Sequence, residues 1–405
     1  MQSIRLGVIF DQQVKSGGGY QQALSSALLT QKLPKELVEV VFFTLFEENV
    51  AVLATYGIKA EFINLSFFEK IRNKFRAEIT NRYFFKLIKK IEEYSPFEKK
   101  LNEYQIDLVY FLSPICLQQS LEKLNYITTL WDLCHRDEPE FPEVRLNKEF
   151  EKRDKSYRNI LPRATAILVD SETGKMNTAY RYGINLDRIH VVPFQPTEAI
   201  RDKIKFNDSQ KLKIHEKFKI DRYIFYPAQF WPHKNHVYLL EGLFILEQQY
   251  GLRISAIFSG TDKGNKEYLK NYASKLKIED RVRFAGFVPD NEMIELYRQS
   301  IALVIPSYFG PTNLPPLEAF QLGVPVLCSD KPGLRDQVGD AALLMDLKNP
   351  NSMALHLKNL IEKNQIREQL INAGYERLKH FDNNDRVKTL KNIIEDFSWK
   401  RSCWD

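Results

Sequence analysis

Short segments that are apolar on both faces alternate with longer helical segments, and the alternation runs its course twice. The first series is Ile4–Phe10, Val38–Phe43, Leu108–Phe111, Tyr126–Leu130, Ala166–Val169 and His190–Pro193. These segments have no polar face to turn to water, so they read as strands of a parallel sheet covered by helices on both sides. A loop, Asp11 to Gly19, follows the first strand and leads into a helical pattern over Tyr20–Leu29. A polar, lysine-rich stretch, Pro196 to Ile220, reads as a linker. The series then restarts with strands at Tyr223–Tyr226, Arg253–Ser259, Val282–Ala285, Ala302–Ile305 and Val324–Ser329. Helices are expected between them at Val237–Gln248, Tyr268–Lys277, Asn291–Gln299 and Pro315–Leu322. The stretch Arg367 to Trp399 reads as helical and ends in an aromatic-rich tail. At 405 residues the chain exceeds one ordinary core, so the expectation is two Rossmann-like, doubly wound α/β domains in tandem.

Charge and cysteine usage narrow the setting. Cys116, Cys134, Cys328 and Cys403 are widely spaced and form no Cys-x-x-Cys pair, which favours a reducing, cytoplasmic compartment over a disulfide framework. The N-terminus runs straight into a strand without a leader pattern, and no apolar run reaches the ~18–20 residues of a membrane span. Net charge is +6, and the excess is concentrated. Between Glu69 and Lys90, eight basic residues interleave with Ile71, Phe75, Ile79, Phe84, Phe85, Leu87, Ile88 and Ile91 just beyond. Such a basic amphipathic stretch is either a solvated face over a packed one or a surface for anionic lipid at the inner face of a membrane. No nucleic-acid partner is expected.

Four loops carry residues suited to chemistry. Ser16-Gly17-Gly18-Gly19-Tyr20 lies between a strand and a helix, where glycines let the backbone approach an anion; a flexible turn is the alternative. It lacks the spacing and the acidic residue of a dinucleotide fingerprint. Pro227 to His236 follows the second domain's first strand and offers Lys234 as a cation and Gln229 as a neutral donor, or else a surface lysine beside a helix cap. Pro306 to Asp330 runs from a strand through a turn-rich loop into a helix starting near Pro315, whose first N–H groups face a ligand. One turn into that helix, Glu318 could accept two hydrogen bonds from a ribose diol, or simply be solvated. The fourth loop, Leu130 to Glu140, places Asp132 and His135 after a first-domain strand, in a reacting or a structural role.

Taken together and in order, these stretches resemble the retaining glycosyltransferases of GT-B fold, the group often called family four. The likeness spans nearly the whole chain and is strongest from Tyr223 to Asp346. It is carried by the Gly-rich loop, the mid-domain Asp-Leu loop, Asp170-Ser171-Glu172, the Lys234 loop, "VRFAGFVP" over Val282–Pro289, Leu-Pro-Pro-Leu-Glu-Ala at the helix start, and Gly323-Val-Pro-Val. The resemblance implies two Rossmann-like domains facing across a cleft: residues 1–195 on the acceptor side, 196–385 binding nucleotide sugar, and a helix over 386–405 returning to the first domain. It implies that Gly18 and Gly19 meet the donor diphosphate, that Lys234 binds a phosphate oxygen, and that the backbone around Phe287 and Val288 holds the base. Glu318 would take the ribose hydroxyls, the N–H groups of Asn313 and Leu314 would steady the diphosphate, and Ser171, Gln229, Gly260 and Thr312 would complete the donor contacts. Asp132, His135, Lys234 and Glu318 are the candidates for catalysis. No metal and no cofactor are implied.

Three departures from that family pattern stand out. The usual pair of glutamates, E-x7-E, retains only Glu318, because the position eight before it is Gly310. The family's His-Asp-Leu is Trp131-Asp132-Leu133, with His135 three residues beyond the aspartate, and the usual arginine of the phosphate loop is Gln229. The implied reaction is transfer of a hexose, with retention, from a GDP-, dTDP- or UDP-sugar to a saccharide or lipid-linked saccharide, as in cell-surface polysaccharide or O-antigen synthesis. A glycosyltransferase-like binding subunit without turnover and a nucleotide-sugar epimerase are the alternatives. A binding subunit would hold nucleotide without converting it, and an epimerase would need no acceptor.

Overall fold

The computed structural model of the chain describes residues 3–14, 17–78, 93–203, 212–381 and 383–404. Ser16, residues 79–90 of the basic stretch and residues 204–211 of the expected linker lie outside these. Contacts divide the chain into two units. One comprises Met1–Trp131, Glu151–Pro193 and Asn383–Asp405; the other comprises Asp132–Phe150 and Phe194–Asp382.

In the first unit, seven parallel strands are ordered β3-β2-β1-β4-β5-β6-β7. They are β1 (Ile4–Phe10), β2 (Val38–Thr44), β3 (Ala60–Phe62), β4 (Leu108–Phe111), β5 (Asn125–Thr129), β6 (Ala166–Val169) and β7 (Ile189–Val191). In β1 Leu6, Val8, Ile9 and Phe10 are all buried, as a strand covered on both faces requires. The register Leu6↔Leu108 and Val8↔Tyr110 places β1 beside β4 at the centre of the sheet. The last helix, Asn383–Arg401, buries Leu390, Ile393, Ile394 and Phe397 in the first unit's core with β1 and the helix Gly18–Thr30. A C-terminal helix therefore does return to the N-terminal fold.

The helix Phe67–Glu78 in this unit packs the other way round from an ordinary surface helix. Its polar Asn73 and Arg76 are buried, while Phe67, Phe68, Ile71 and Phe75 are exposed. Asn73 Oδ1 accepts the Phe97 N–H at 3.2 Å, and Arg76 donates to Glu122 and to the Tyr94 carbonyl. A solvated basic face over a packed apolar one does not describe this part of the stretch.

The second unit is a six-stranded parallel sheet ordered β10-β9-β8-β11-β12-β13. Its strands are β8 (Tyr223–Pro227), β9 (Ser255–Ser259), β10 (Val282–Gly286), β11 (Leu303–Ile305), β12 (Val326–Ser329) and β13 (Ala342–Met345). The expected linker is not patternless. Short helices occupy Glu198–Lys203 and Ile214–Phe218, and Ile200, Ile214 and Ile220 join the core. The single helical stretch expected over Arg367–Trp399 is two helices, Asn364–Leu378 and Asn383–Arg401, separated by turns at Lys379–Phe381.

Candidate donor site

In an open parallel sheet, ligands settle outside the carboxyl ends of the strands where the strand order reverses. In the second unit that reversal lies between β8 and β11. The loop after β8 carries Gln229 to Asn235, and the loop after β11 carries Pro306 to Asn313.

After β8 the chain makes a single tight turn, Pro232–Lys234, ending at Asn235 with φ 54°. The Lys234 N–H donates to the Trp231 carbonyl at 3.1 Å, and its own carbonyl accepts the Tyr226 hydroxyl at 3.1 Å. The turn is thus pinned to the strand below it. Burial lowers the Lys234 pKa, opposed by nearby Cys134 and Asp132. Gln229 Oε1 accepts the Trp231 indole N–H at 3.0 Å.

After β11, Ser307 organises the loop by bonding both the carbonyl and the N–H of Phe309. Gly310 follows with φ 91°, and a Cβ placed there would stand 2.8 Å from the Thr312 carbonyl oxygen. The backbone therefore takes a form that excludes a side chain, and the absent first glutamate reflects the loop's conformation. The Gly310 N–H points to Cys134 Sγ at 3.3 Å. Thr312 is buried.

The helix Leu314–Gln321 starts next, with prolines in its first turn. The structure corrects one expectation here. The Asn313 N–H donates to Gln337 Oε1 at 2.9 Å and its carbonyl accepts from Gln337 Nε2 at 2.7 Å, so that N–H is already engaged. Leu314 remains as the first residue of the helix.

Glu318 is buried, and its Oε2 accepts the Tyr297 hydroxyl at 2.7 Å. Burial raises the Glu318 pKa, while hydrogen bonds from Tyr297 and Thr197 act against the rise. A carboxylate held this way presents a fixed acceptor rather than a solvated charge. At the ends of β9 and β10, the Gly260 N–H donates to the Gly286 carbonyl at 2.8 Å, Phe287 is exposed and Val288 is buried.

The segment 132–150 closes around these loops. Asp132 Oδ1 accepts the Cys134 N–H at 2.9 Å. Glu143 Oε1 accepts the His233 N–H at 3.0 Å and also meets the His233 ring Nδ1. Burial lowers the His233 pKa, with Glu143 acting against it. The His233 ring stacks on Phe309, with centroids 4.0 Å apart and planes 6° from parallel, and Phe141 packs edge-on against both. Lys331, just past β12, pairs with Glu138 and donates to the Tyr308 carbonyl at 2.8 Å. None of Glu138, Glu143, His233, Tyr297, Lys331 or Gln337 was singled out from sequence, because each acquires its role from a partner 21 to 193 positions away. His135 is completely buried, its ring 5.6 Å from that of Phe150.

In the first unit the order reverses between β1 and β4, and the Gly-rich loop follows β1. Gly17, at φ 89°, caps the helix Gly18–Thr30. A Cβ on Gly18 would meet nothing within 4 Å, whereas one on Gly19 would stand 2.9 Å from Gln12 Oε1 and 3.1 Å from the Trp131 ring. Buried Asp11 supports the loop through Gln12 Nε2 at 3.0 Å and the Ser113 hydroxyl. Ser171 caps the helix Glu172–Tyr182, its Oγ accepting from the Gly174 N–H and donating to Asp170, both at 3.0 Å. Its hydroxyl thus both donates and accepts within the start of that helix.

Residues 207–377 match the family described as glycosyl transferases group 1. The chain carries a glycosyltransferase group 1 domain and is a glycosyltransferase. It is 27% identical over 284 residues to O-antigen chain mannosyltransferase B of Escherichia coli, covering 69% of this chain and 72% of that protein. It is 26% identical over 198 residues to O-antigen chain mannosyltransferase RfbU of Salmonella typhimurium, covering 49% of this chain and 51%, about half, of that relative. In fold it is similar to Anabaena Alr3699/HepE, solved in complex with UDP and glucose, with TM-score 0.70 at 16% identity over 97% of this chain and all of that one. The fold is GT-B, built from two doubly wound α/β units. Among the described residues no helix is long and apolar enough to cross a membrane.

Proposed function

We propose that the second unit of this glycosyltransferase holds a nucleoside-diphosphate sugar at the β8/β11 reversal and transfers its hexose with retention of configuration. The supporting observation is the pair of prepared groups on either side of that reversal, the pinned, partly buried Lys234 and the buried, Tyr297-held Glu318. In this reading the diphosphate meets Lys234 and the helix start at Leu314, the ribose diol bonds Glu318, and the base lies along Phe287 and Val288. As the sugar–phosphate bond breaks, negative charge grows on the diphosphate, and a fixed ammonium and N–H groups stabilise that charge more than the ground state. Thr312 and Asn313 line the sugar end in place of the absent glutamate, with Asp132 beside Lys234. The names of the O-antigen relatives favour a mannosyl donor and a saccharide or lipid-linked saccharide acceptor, met at the cytoplasmic face of a membrane.

Thermal unfolding with GDP-mannose, dTDP-rhamnose, UDP-glucose and UDP-N-acetylglucosamine identifies the donor, since a ligand bound only by the folded state raises Tm by mass action. One nucleotide sugar shifts Tm selectively and yields free nucleoside diphosphate when acceptor is added. Replacing Lys234 by Met lowers that turnover by about 10²–10³ while the protein stays folded. Turnover of Lys234→Met within a few-fold of the parent removes Lys234 from the site.

A further inference from the structure

The helix Phe67–Glu78 is inside out. In a helix docked on a globular surface the apolar stripe faces the core and the charged face meets water. Here the anchoring is polar. Asn73 and Arg76 are buried, Arg76 is paired to Glu122 at 2.5 Å, and Ser66 begins the helix with Glu69 Oε2 accepting its N–H at 2.8 Å and its hydroxyl at 2.7 Å. The outward face carries Phe67 at 73% exposure, Phe68 at 74%, Ile71 at 49% and Phe75 at 51%. At 3.6 residues per turn these four fall within an arc of about 100°. Lys70 and Lys74 run along one edge of the stripe and Arg72 along the other, all exposed. Glu78, the acidic residue at the C-terminal end, lies 3.9 Å from Lys155.

An aromatic stripe turned to solvent and held there by buried polar contacts is costly in water and suits an apolar medium. Its basic edges select among apolar partners. An acyl–headgroup boundary takes phenyl rings a few ångströms deep while lysine and arginine stay among anionic headgroups. We infer that the outward face of the helix Phe67–Glu78 docks on an anionic lipid bilayer, with Phe67, Phe68 and Ile71 entering the interface and Lys70 and Lys74 pairing with headgroups. This deepens the proposed reading, on whose lipid-linked acceptor it rests for its purpose, and it gives that membrane contact a definite face.

The test is sedimentation of the full chain with phosphatidylcholine vesicles, with and without about one-third phosphatidylglycerol, in the absence of donor and acceptor. The parent partitions to the anionic vesicles and releases as salt rises. Phe67→Ser with Phe68→Ser lowers the partition coefficient about tenfold, and Lys70→Glu with Lys74→Glu does so too and flattens the salt dependence. Circular dichroism confirms that both variants are folded. A parent that ignores anionic vesicles overturns the inference. So do variants that partition like the parent, or a Phe67/Phe68 variant that changes only the oligomeric state in sedimentation velocity. Because no nucleotide is present, failure of the donor reading leaves this outcome unaffected.

Discussion

Restoring the glutamate at position 310 should damage this protein rather than improve it. Gly310 has φ 91°, and a Cβ would stand 2.8 Å from the Thr312 carbonyl oxygen. Holding an L-residue in left-handed backbone costs about 1–2 kcal/mol, and relieving the Cβ contact must move the Thr312 carbonyl. A total near 2 kcal/mol follows, at the scale of strained backbone positions of about 1–3 kcal/mol. For a domain of roughly 150–250 residues each 1 kcal/mol lowers Tm by about 2–4 °C, so Gly310→Ala should melt about 4–8 °C below the parent. Gly310→Glu should melt at least as low, and its turnover should not exceed that of Gly310→Ala, because any side chain at this position strains the loop that carries it. The assay is thermal unfolding paired with nucleoside-diphosphate release. Gly310→Ala melting within about 1 °C of the parent would show that the loop relaxes freely. A Gly310→Glu variant that outperforms the parent would refute the backbone explanation altogether.

Two further outcomes follow from buried groups. Tyr297→Phe removes the hydroxyl that holds the Glu318 carboxylate, a charge-assisted bond of about 1.5–3 kcal/mol, and lets the already raised Glu318 pKa climb further. Calorimetric nucleotide affinity should then fall about tenfold, and an affinity equal to the parent's would count against Glu318 as the ribose acceptor. His236, fully buried among Tyr226, Phe230 and Phe258 and close to the charges of Lys234 and His233, has its pKa pushed down from 6.5 to about 3 by burial. Between those values the unfolded chain binds the extra proton, so this stability is complete above pH 6.5 and is lost at about 1.4 kcal/mol per pH unit as pH falls. His236→Phe should flatten that acid slope in denaturant titrations at pH 7 and pH 5.5, and an unchanged slope would show that the ring is protonated without penalty.

The parts of the fold that were legible in the sequence are those with local causes. β4 and β6 coincide with their expected ranges, and β1 does too, because an apolar run between turn formers has few other uses in a folded chain. β3 and β13 escaped notice; they are three- and four-residue edge strands, too short to show a pattern. The break between the two C-terminal helices lies in Lys379–Phe381, where no proline or glycine announces a stop. In the candidate site, Lys234, Glu318 and the helix start could be read from position relative to strands. Their supports could not. Tyr297 under Glu318, Gln337 on Asn313 and Glu143 on His233 are tertiary pairings, and no residue type or spacing along the chain encodes them. The cap that Ser171 makes and the ring contact of His135 with Phe150 are likewise visible only once the chain is folded.

The division of the chain carries a lesson for anyone wishing to exchange donor specificity between such enzymes. The second unit is assembled from two separate stretches, so the polypeptide passes from one unit to the other four times. A transplanted cassette covering 194–382 would leave behind Glu143 and Glu138, stripping His233 and Lys331 of their carboxylates and the stacked ring of Phe309 of its Phe141 neighbour. A cassette running on past 382 would carry Leu390, Ile394 and Phe397 away from the first-unit core in which they pack. Chimeras of this architecture should therefore be grafted as two pieces, with the short 132–150 insert travelling together with the larger one, and the terminal helix left with its host.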